Sequence, residues 1–184
     1  MTPETRSIGI SSLSKSHPGL CATVTFDHVE SNSERLMDQV FTGLGLQFRY
    51  PAEWEISEEI GEQEACLTVS SSSTAFWSVT VIRGRPEPAE VMRAVVLAYE
   101  DEYEDLDLIE SEIETPLRIV YEMEIDFVCF ELTNTAFMRA FQTDSFTVLI
   151  LYQFNDDEQD SQEQVLQQIT DSLICESDLA PQPE

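Results

Sequence analysis

The hydrophobic pattern of the chain centres on one stretch, Phe146–Phe154, in which apolar side chains occupy both alternating faces. One face carries Phe146, Val148, Ile150, Tyr152 and Phe154, and the other carries Thr147, Leu149, Leu151 and Gln153. A strand that is apolar on both faces has to be covered on both faces, so this stretch is predicted to lie in the middle of a sheet. The pattern therefore favours a layered α/β or α+β architecture.

The same pattern divides the chain into an arm, a domain and a tail. Residues 1–42 are predicted to form a partly disordered amino-terminal arm, because they are rich in Ser and Thr. Within the arm, residues 22–26 are interpreted as an edge strand and residues 34–41 as a short helix. The domain is predicted over residues 43–175, and a polar tail over residues 176–184 follows it.

Alternating apolar positions predict a series of strands in the domain, and helical spacing appears in two places. Strands are predicted at residues 46–50, 65–70, 75–83, 106–114, 118–127, 135–143 and 146–154, with another beginning at Trp54. Residues 58–64 are interpreted as an acidic connection, and the helices are predicted at about 87–103 and 157–174. This order is typical of an α+β fold, here an antiparallel sheet with one helix on each face, in other words an α/β/α sandwich.

Short motifs in a fixed order give the domain a family resemblance. A strand ending in Tyr50-Pro51-x-x-Trp54 is followed by a Ser-rich hairpin, a helix, antiparallel strands and a final helix that runs into Ile169-Thr-Asp-Ser-Leu173. In that order these pieces resemble the PsbP-like superfamily over residues 43–175. The superfamily includes PsbP, Ran-binding Mog-type proteins, DcrB lipoproteins and type VI secretion effector chaperones.

The resemblance implies a fold used for binding, without a shared active site. It carries over no functional residue, since Tyr50, Pro51 and Trp54 match as fold determinants. The chain departs from known subgroups, because the DcrB lipid anchor and a secretion signal are missing from its sequence. It is also more acidic than is expected of the Ran binders, so the shared fold does not transfer a function.

The charge balance removes several classes of partner. Nine Lys and Arg oppose 36 Asp and Glu, which gives a formal net charge of −27. Nucleic acids and anionic membranes are therefore disfavoured, because their recognition relies on basic side chains. A basic protein partner, a divalent cation, or solubility in a salty environment remains as the reason for the acidity.

Nothing in the sequence indicates catalysis or a cofactor. The two histidines, His17 and His28, both lie in the predicted arm. A nucleophile in the domain would therefore lack a histidine base. The four cysteines have no Cys-x-x-Cys spacing, so no zinc site is predicted. We expect no enzyme activity, no metal and no cofactor, and in the absence of a signal peptide or membrane span we expect a cytoplasmic protein.

One run of acids is not explained by local structure. It lies at the carboxy-terminal end of the first predicted helix, where the helix dipole is already negative. We call these six residues the acidic patch: Glu100, Asp101, Glu102, Glu104, Asp105 and Asp107. They form either a solvated turn or a site for a basic partner or a cation.

The prediction from sequence is a non-enzymatic protein-binding or adaptor module with an acidic surface, as a monomer or homodimer. The alternative is a protein that binds a small ligand or a divalent cation, either at the acidic patch or in a cavity between sheet and helix.

Overall fold

The computed structural model describes residues 37–179, which form two sheets, two α-helices and a short 3-10 helix. In chain order the elements are β1 (Gln39–Gly43), β2 (Leu46–Tyr50), β3 (Glu55–Ile60), β4 (Glu64–Ser70), β5 (Phe76–Ile82), α1 (Pro88–Glu102), β6 (Asp107–Glu114), β7 (Ile119–Cys129), β8 (Leu132–Gln142), β9 (Thr147–Asn155), α2 (Gln159–Asp171), β10 (Ile174–Cys175) and the 3-10 helix (Glu176–Leu179). The α+β class predicted from the sequence is confirmed.

The main sheet is antiparallel, with the strand order β3-β4-β5-β9-β8-β7-β6. β9 is its central strand, and all its residues except Gln153 are buried. The sequence prediction for this stretch is therefore confirmed. A second sheet, β1-β2-β10, is also antiparallel.

One hydrophobic cluster joins α2 to the main sheet and the small sheet. Leu166 and Ile169 of α2 are fully buried in it, together with Trp77 of β5 and Phe48 of β2. Each such aliphatic side chain contributes about 1.5–3 kcal/mol by leaving water. The cluster also contains a buried hydrogen bond, because Nε1 of Trp77 donates to Oγ1 of Thr170 at 3.0 Å.

A second cluster joins α1 to the main sheet. Val91 and Val95 of α1 are fully buried in it with Ile125 of β7. Tyr99 lies in the same cluster, and its hydroxyl donates to Oε1 of Gln153 at 3.2 Å. Leu149 and Leu151 of β9 belong to this cluster, whereas Val148, Ile150, Tyr152 and Phe154 belong to the cluster with α2.

The helix predicted over residues 34–41 is wrong from Gln39 onward, because this segment forms β1. β1 and β2 form a hairpin whose two-residue turn, Leu44-Gly45, has φ values of +57° and +77°. Such positive φ angles suit the tight turns that match the twist of paired strands. Phe41 stacks on Phe48 with ring centroids 5.2 Å apart. This contact across the turn favours a strand over the helix that apolar spacing alone predicts.

Two other predictions about the chain path need adjustment. β3 continues to Ile60, so the acidic connection predicted over residues 58–64 is reduced to residues 61–63. The bulge or turn predicted near Val128 is a turn, in which Phe130 and Glu131 have φ values of +50° and +67°.

The ends of the domain have further contacts. In the 3-10 helix, Asp178 forms an ion pair with Arg118, so part of the predicted tail contacts the domain. Residues 34–36 and the strand predicted over residues 22–26 lie outside the described residues, and the domain boundaries remain predictions. No helix in residues 37–179 is long and apolar enough to cross a membrane.

Candidate functional site

One row of side chains crosses the main sheet from its covered part to its open edge. Antiparallel pairing places Trp77, Tyr152, Phe137, Glu124 and Ile109 next to one another on five successive strands. Directly paired residues lie on the same face of a sheet. Trp77 is 0% exposed and Tyr152 4%, Phe137 and Glu124 are half-buried, and Ile109 is 64% exposed. On the face of the sheet that packs against α2, side chains are therefore buried at β9 and become exposed toward β6.

A cleft lies along this boundary, where α2 faces β7, β8 and β9. Its volume is about 480 Å³. Charged, polar and aromatic side chains from these four elements and from the turn before α2 line it: Glu124, Asp126, Thr133, Thr135, Phe137, Arg139, Tyr152, Phe154, Asp156, Gln159, Glu163, Gln167, Thr170 and Asp171.

The floor of the cleft is an aromatic pair beneath a guanidinium group. Phe137 and Tyr152 stack with ring centroids 5.2 Å apart and an interplanar angle of 15°. The Cζ atom of Arg139 lies 5.7 Å from the centre of the Phe137 ring. Arg139 also forms an ion pair with Glu122, and its Nη1 lies 3.8 Å from Oδ1 of Asp171. The cleft thus contains a cation placed over a ring and flanked by carboxylates.

Four further carboxylates line the cleft, and none of them forms an ion pair with a basic side chain of residues 37–179. They are Glu124, Asp126, Asp156 and Glu163. Glu163 accepts hydrogen bonds from Nε2 of Gln167 at 3.1 Å and from Nε2 of Gln159 at 3.4 Å. These are neutral donors, so the negative charge of the cleft remains available to a cation.

The titration behaviour of two cleft residues reflects their surroundings. Burial, with the neighbouring charges of Asp126 and Glu163, raises the pKa of Glu124 above 4.5. Burial also raises the pKa of Tyr152, and the charge of Arg139 opposes this only in part. Tyr152 is therefore a neutral hydroxyl at pH 7, while the charged form of Glu124 is disfavoured by its surroundings and would be favoured by a nearby cation.

The acidic patch predicted from the sequence lies elsewhere. Glu100, Asp101 and Glu102 end α1, and Asp107 begins β6. All six patch residues are exposed, and none of them lines the cleft. Within residues 37–179, no three His, Cys, Asp or Glu side chains are close enough together to hold a metal ion. The structure therefore gives the cation interpretation of the patch no geometric support.

The cleft is not apparent from the sequence. Glu122, Glu124 and Asp126 alternate with apolar residues, and that pattern is typical of a solvated strand face. Their proximity to Phe137 depends on the pairing of β7 with β8, and their proximity to Glu163 depends on the position of α2. A usable signal is present on β8, where Phe137 and Arg139 share the face opposite the buried Ala136, Met138 and Ala140.

Comparison with known proteins identifies the fold. No family model matches the chain, and no curated protein sequence matches it. The solution structure of cyanobacterial PsbP (CyanoP) from Synechocystis sp. PCC 6803 is similar, with a TM-score of 0.58 and 12% identity over 74% of this chain and 91% of that chain. A crystal structure from Bacteroides thetaiotaomicron has a TM-score of 0.50 and 11% identity over 76% of this chain and 49% of that chain.

A third structure, LpqN, involved in cell envelope biogenesis of Mycobacterium tuberculosis, matches with a TM-score of 0.45 and 12% identity over 70% of this chain and 81% of that chain. The resemblance to the PsbP-like superfamily predicted from the sequence is confirmed at the level of the fold. Identities this low establish the fold alone, so the chemistry of the cleft has to be argued from its own residues.

Proposed function

We propose that this chain is a non-enzymatic protein-binding module that docks a basic segment of a partner protein in the cleft beside α2. The observation that carries the proposal is the guanidinium of Arg139 over the Phe137–Tyr152 pair. Four carboxylates without an ion pair to a basic side chain of residues 37–179 line the same cleft. A partner's Arg or Lys side chain would extend this arrangement.

The physical case combines a long-range and a short-range effect. The net charge of −27 attracts basic partners and accelerates their encounter. In the cleft, a cation near an aromatic ring gains about 0.5–2 kcal/mol, with the larger values where water is excluded. A partner cation would also offset the burial and the repulsion that together raise the pKa of Glu124. Affinity and position are therefore both expected to depend on the cleft, while the rest of the acidic surface affects mainly the rate of association.

The fold supports the same proposal. We infer an α/β/α sandwich, because alternate residues of β9 belong to the cluster with α2 and to the cluster with α1. α2 packs over β5 and β9, so within residues 37–179 the cleft opens toward the outer strands β7 and β6. The resemblance to PsbP-like proteins, which implies a binding fold, agrees with this role. A cytoplasmic location is part of the proposal.

The test compares two variants that remove the same number of charges. Glu124→Gln with Glu163→Gln neutralises the cleft, and Glu100→Gln with Glu102→Gln neutralises the acidic patch. Each variant and the wild type are used in a pull-down from native lysate at about 0.15 M salt, where long-range attraction is largely screened. We expect a stoichiometric basic protein with the wild type and the patch variant, and its loss with the cleft variant. Equal recovery with all three proteins would contradict the proposal.

Small-ligand binding is the second candidate, and the size of the cleft favours it. Ligand pockets have volumes of about 300–1,000 Å³, and the cleft has about 480 Å³. Its lining is mainly polar, however, whereas ligand pockets are mostly apolar. A thermal-shift screen with organic amines and with millimolar calcium tests this candidate, because a bound ligand raises the melting temperature by mass action.

A further inference from the structure

The edge of the main sheet at β6 carries no further strand within residues 37–179. β6 is the last strand in the order and pairs with β7 on one side only. All eight of its residues, Asp107–Glu114, are exposed. An edge strand of this length presents a row of unpaired backbone N–H and C=O groups, which is a template for pairing with another chain.

The two faces of β6 differ in character. Glu110, Glu112 and Glu114 alternate along one face, so that face is acidic at the edge. The opposite face carries Ile109, which is 64% exposed, and Ile113, which is 43% exposed. Residues that alternate in this way line opposite faces of a strand. The edge therefore offers three glutamates beside Leu108 on one face, and two isoleucines that alternate with Asp107 and Ser111 on the other.

The row of glutamates disfavours pairing with a second copy of this chain. Two β6 strands related by a twofold axis would pair antiparallel, and residues on the same face would meet. Glu110 would then lie opposite Glu112 of the other copy, or close to another glutamate. Like charges directly opposite each other destabilise a strand pair. The same row favours a strand whose side chains on that face are basic.

We propose that β6 binds, by strand addition, an extended segment of a partner protein in which basic and apolar side chains alternate. Backbone hydrogen bonds to the free edge give such binding its affinity, and alternate side chains give it specificity. Basic side chains of the added strand lie opposite the three glutamates, and β-branched side chains cover Ile109 and Ile113. The inference rests on the proposed function only because both expect a basic partner. The edge adjoins the cleft, since Ile109 pairs with Glu124, but β6 contributes no residue to the cleft lining.

The probe is a capped, fluorescein-labelled peptide of eight residues, Val-Lys-Val-Lys-Val-Lys-Val-Lys, titrated with the full chain and followed by anisotropy. Two further peptides are N-methylated at one or the other alternate set of residues, since one set donates its N–H groups to the edge. A fourth peptide has four valines followed by four lysines, with the same charge. We expect one N-methylated peptide and the block peptide to bind at least about tenfold more weakly, which is about 1.4 kcal/mol.

Charge variants identify the surface that binds. Glu110→Lys with Glu112→Lys is expected to weaken the alternating peptide about tenfold or more. Glu100→Lys with Glu102→Lys makes the same change of charge at exposed positions on α1, and is expected to weaken it less than about threefold. Circular dichroism checks the fold of each variant. All changed side chains are exposed, so no packing is lost.

Several results would overturn the inference. Equal binding of the N-methylated, block and alternating peptides would show attraction by charge without strand addition. Equal loss in the two charge variants, or no binding of any peptide to the full chain, would also reject it. Sedimentation showing a dimer that dissociates in the Glu110→Lys, Glu112→Lys variant would assign the edge to a second copy.

The cleft variant distinguishes the edge from the cleft. If Glu124→Gln with Glu163→Gln leaves peptide binding unchanged while abolishing partner recovery, the edge and the cleft are separate sites. If Glu110→Lys with Glu112→Lys leaves peptide binding unchanged while the cleft variant abolishes both peptide binding and partner recovery, the edge is rejected and the cleft is kept.

Discussion

Glu158 accepts two hydrogen bonds from Thr74, which lies in the turn between β4 and β5. The backbone N–H of Thr74 donates to Oε1 at 3.0 Å, and its hydroxyl donates to Oε2 at 2.5 Å. Asn155 completes the group, because its Nδ2 donates to the Thr74 hydroxyl at 3.0 Å. Glu158 precedes α2, so one carboxylate joins the start of this helix to a hairpin that is distant in sequence.

This arrangement predicts a pH-dependent stability. Burial alone raises the pKa of Glu158, but hydrogen bonds from Ser73, Thr74 and Asn155 outweigh it and hold the pKa below 4.5. A carboxyl group whose pKa is lowered by folding stabilises the protein above its unfolded pKa. That contribution is lost as the pH falls through the folded value.

Glu158→Gln is therefore expected to lower the free energy of unfolding by about 1–2 kcal/mol at pH 7. Hydrogen bonds to a charged group contribute about 1.5–3 kcal/mol, and the partial exposure of this site reduces the expected value. Urea melts measure the loss, which should shrink as the pH falls below about 4.5. Glu87→Gln is the matched control, because Glu87 precedes α1 and makes no capping hydrogen bond with its side chain. A loss of stability that is as large below about pH 4.5 as at pH 7 would contradict this role for Glu158.

Trp54 is expected to anchor the core. It lies just before β3 and is 5% exposed within the cluster that includes α2. Trp54→Ala should lower the free energy of unfolding by about 3–5 kcal/mol, because it removes a buried aromatic ring and leaves a cavity. Urea melts at pH 7 check the value. A loss below about 1 kcal/mol would show that the ring is not part of the packed core.

The buried hydrogen bond between Trp77 and Thr170 gives a second stability prediction. Thr170→Val keeps the shape of the side chain but removes the acceptor of the indole N–H. We expect a loss of about 1–3 kcal/mol, the cost of leaving a buried donor without a partner. Thr147→Val serves as a comparison, because it removes a hydroxyl that donates to the carbonyl of Pro86. Thr170→Val removes a hydroxyl that accepts the hydrogen bond of the buried indole N–H. An unchanged urea midpoint for Thr170→Val would reject a structural role for this bond.

The acidic patch should behave as a solvated helix end. Glu100, Asp101 and Glu102 lie in the last turn of α1, which contains no basic residue. Acids at this end oppose the helix dipole. Neutralising these three residues together with Glu104 is therefore expected to raise the melting temperature, and to leave it insensitive to millimolar calcium. A calcium-dependent shift in the wild type that the neutralised variant lacks would instead identify the patch as a cation site.

Parts of the fold that depend on local pattern are predictable from this sequence. β9 is recognisable because it is apolar on both faces, and α1 because Val91, Met92 and Val95 repeat at helical spacing after Pro88. The β1 strand is not predictable in this way, because Val40 and Phe41 continue a helical spacing that begins at Leu36. Its conformation depends on pairing with β2 across a turn with positive φ angles, where Phe41 stacks on Phe48.

The cleft escapes prediction for a related reason. Its acids come from β7, from α2 and from the turn that precedes α2. β7 is distant from the other two along the chain, and they meet only through sheet pairing and the position of α2. The acidic patch, by contrast, is continuous in sequence and therefore conspicuous, yet its side chains do not converge on a common point. A run of like charges in the sequence is therefore a poorer indication of a binding site than charges that strand pairing brings together.

Protonation of the cleft should weaken partner binding. The pKa of Glu124 is raised by burial and by the charges of Asp126 and Glu163, so Glu124 loses its charge at a higher pH than an ordinary glutamate does. Binding of the basic partner should therefore weaken as the pH is lowered through that raised pKa. The Glu124→Gln variant should show a flatter pH profile. Identical profiles for the variant and the wild type would exclude Glu124 from the binding surface.

The most direct test of the account is a titration of the recovered basic partner with three proteins: the wild type, the cleft variant and the patch variant. The cleft variant, Glu124→Gln with Glu163→Gln, should bind at least about tenfold more weakly at about 0.15 M salt, whereas the patch variant, Glu100→Gln with Glu102→Gln, should bind within about twofold of the wild type. If both variants lose affinity equally, binding follows net charge and the cleft is not the site.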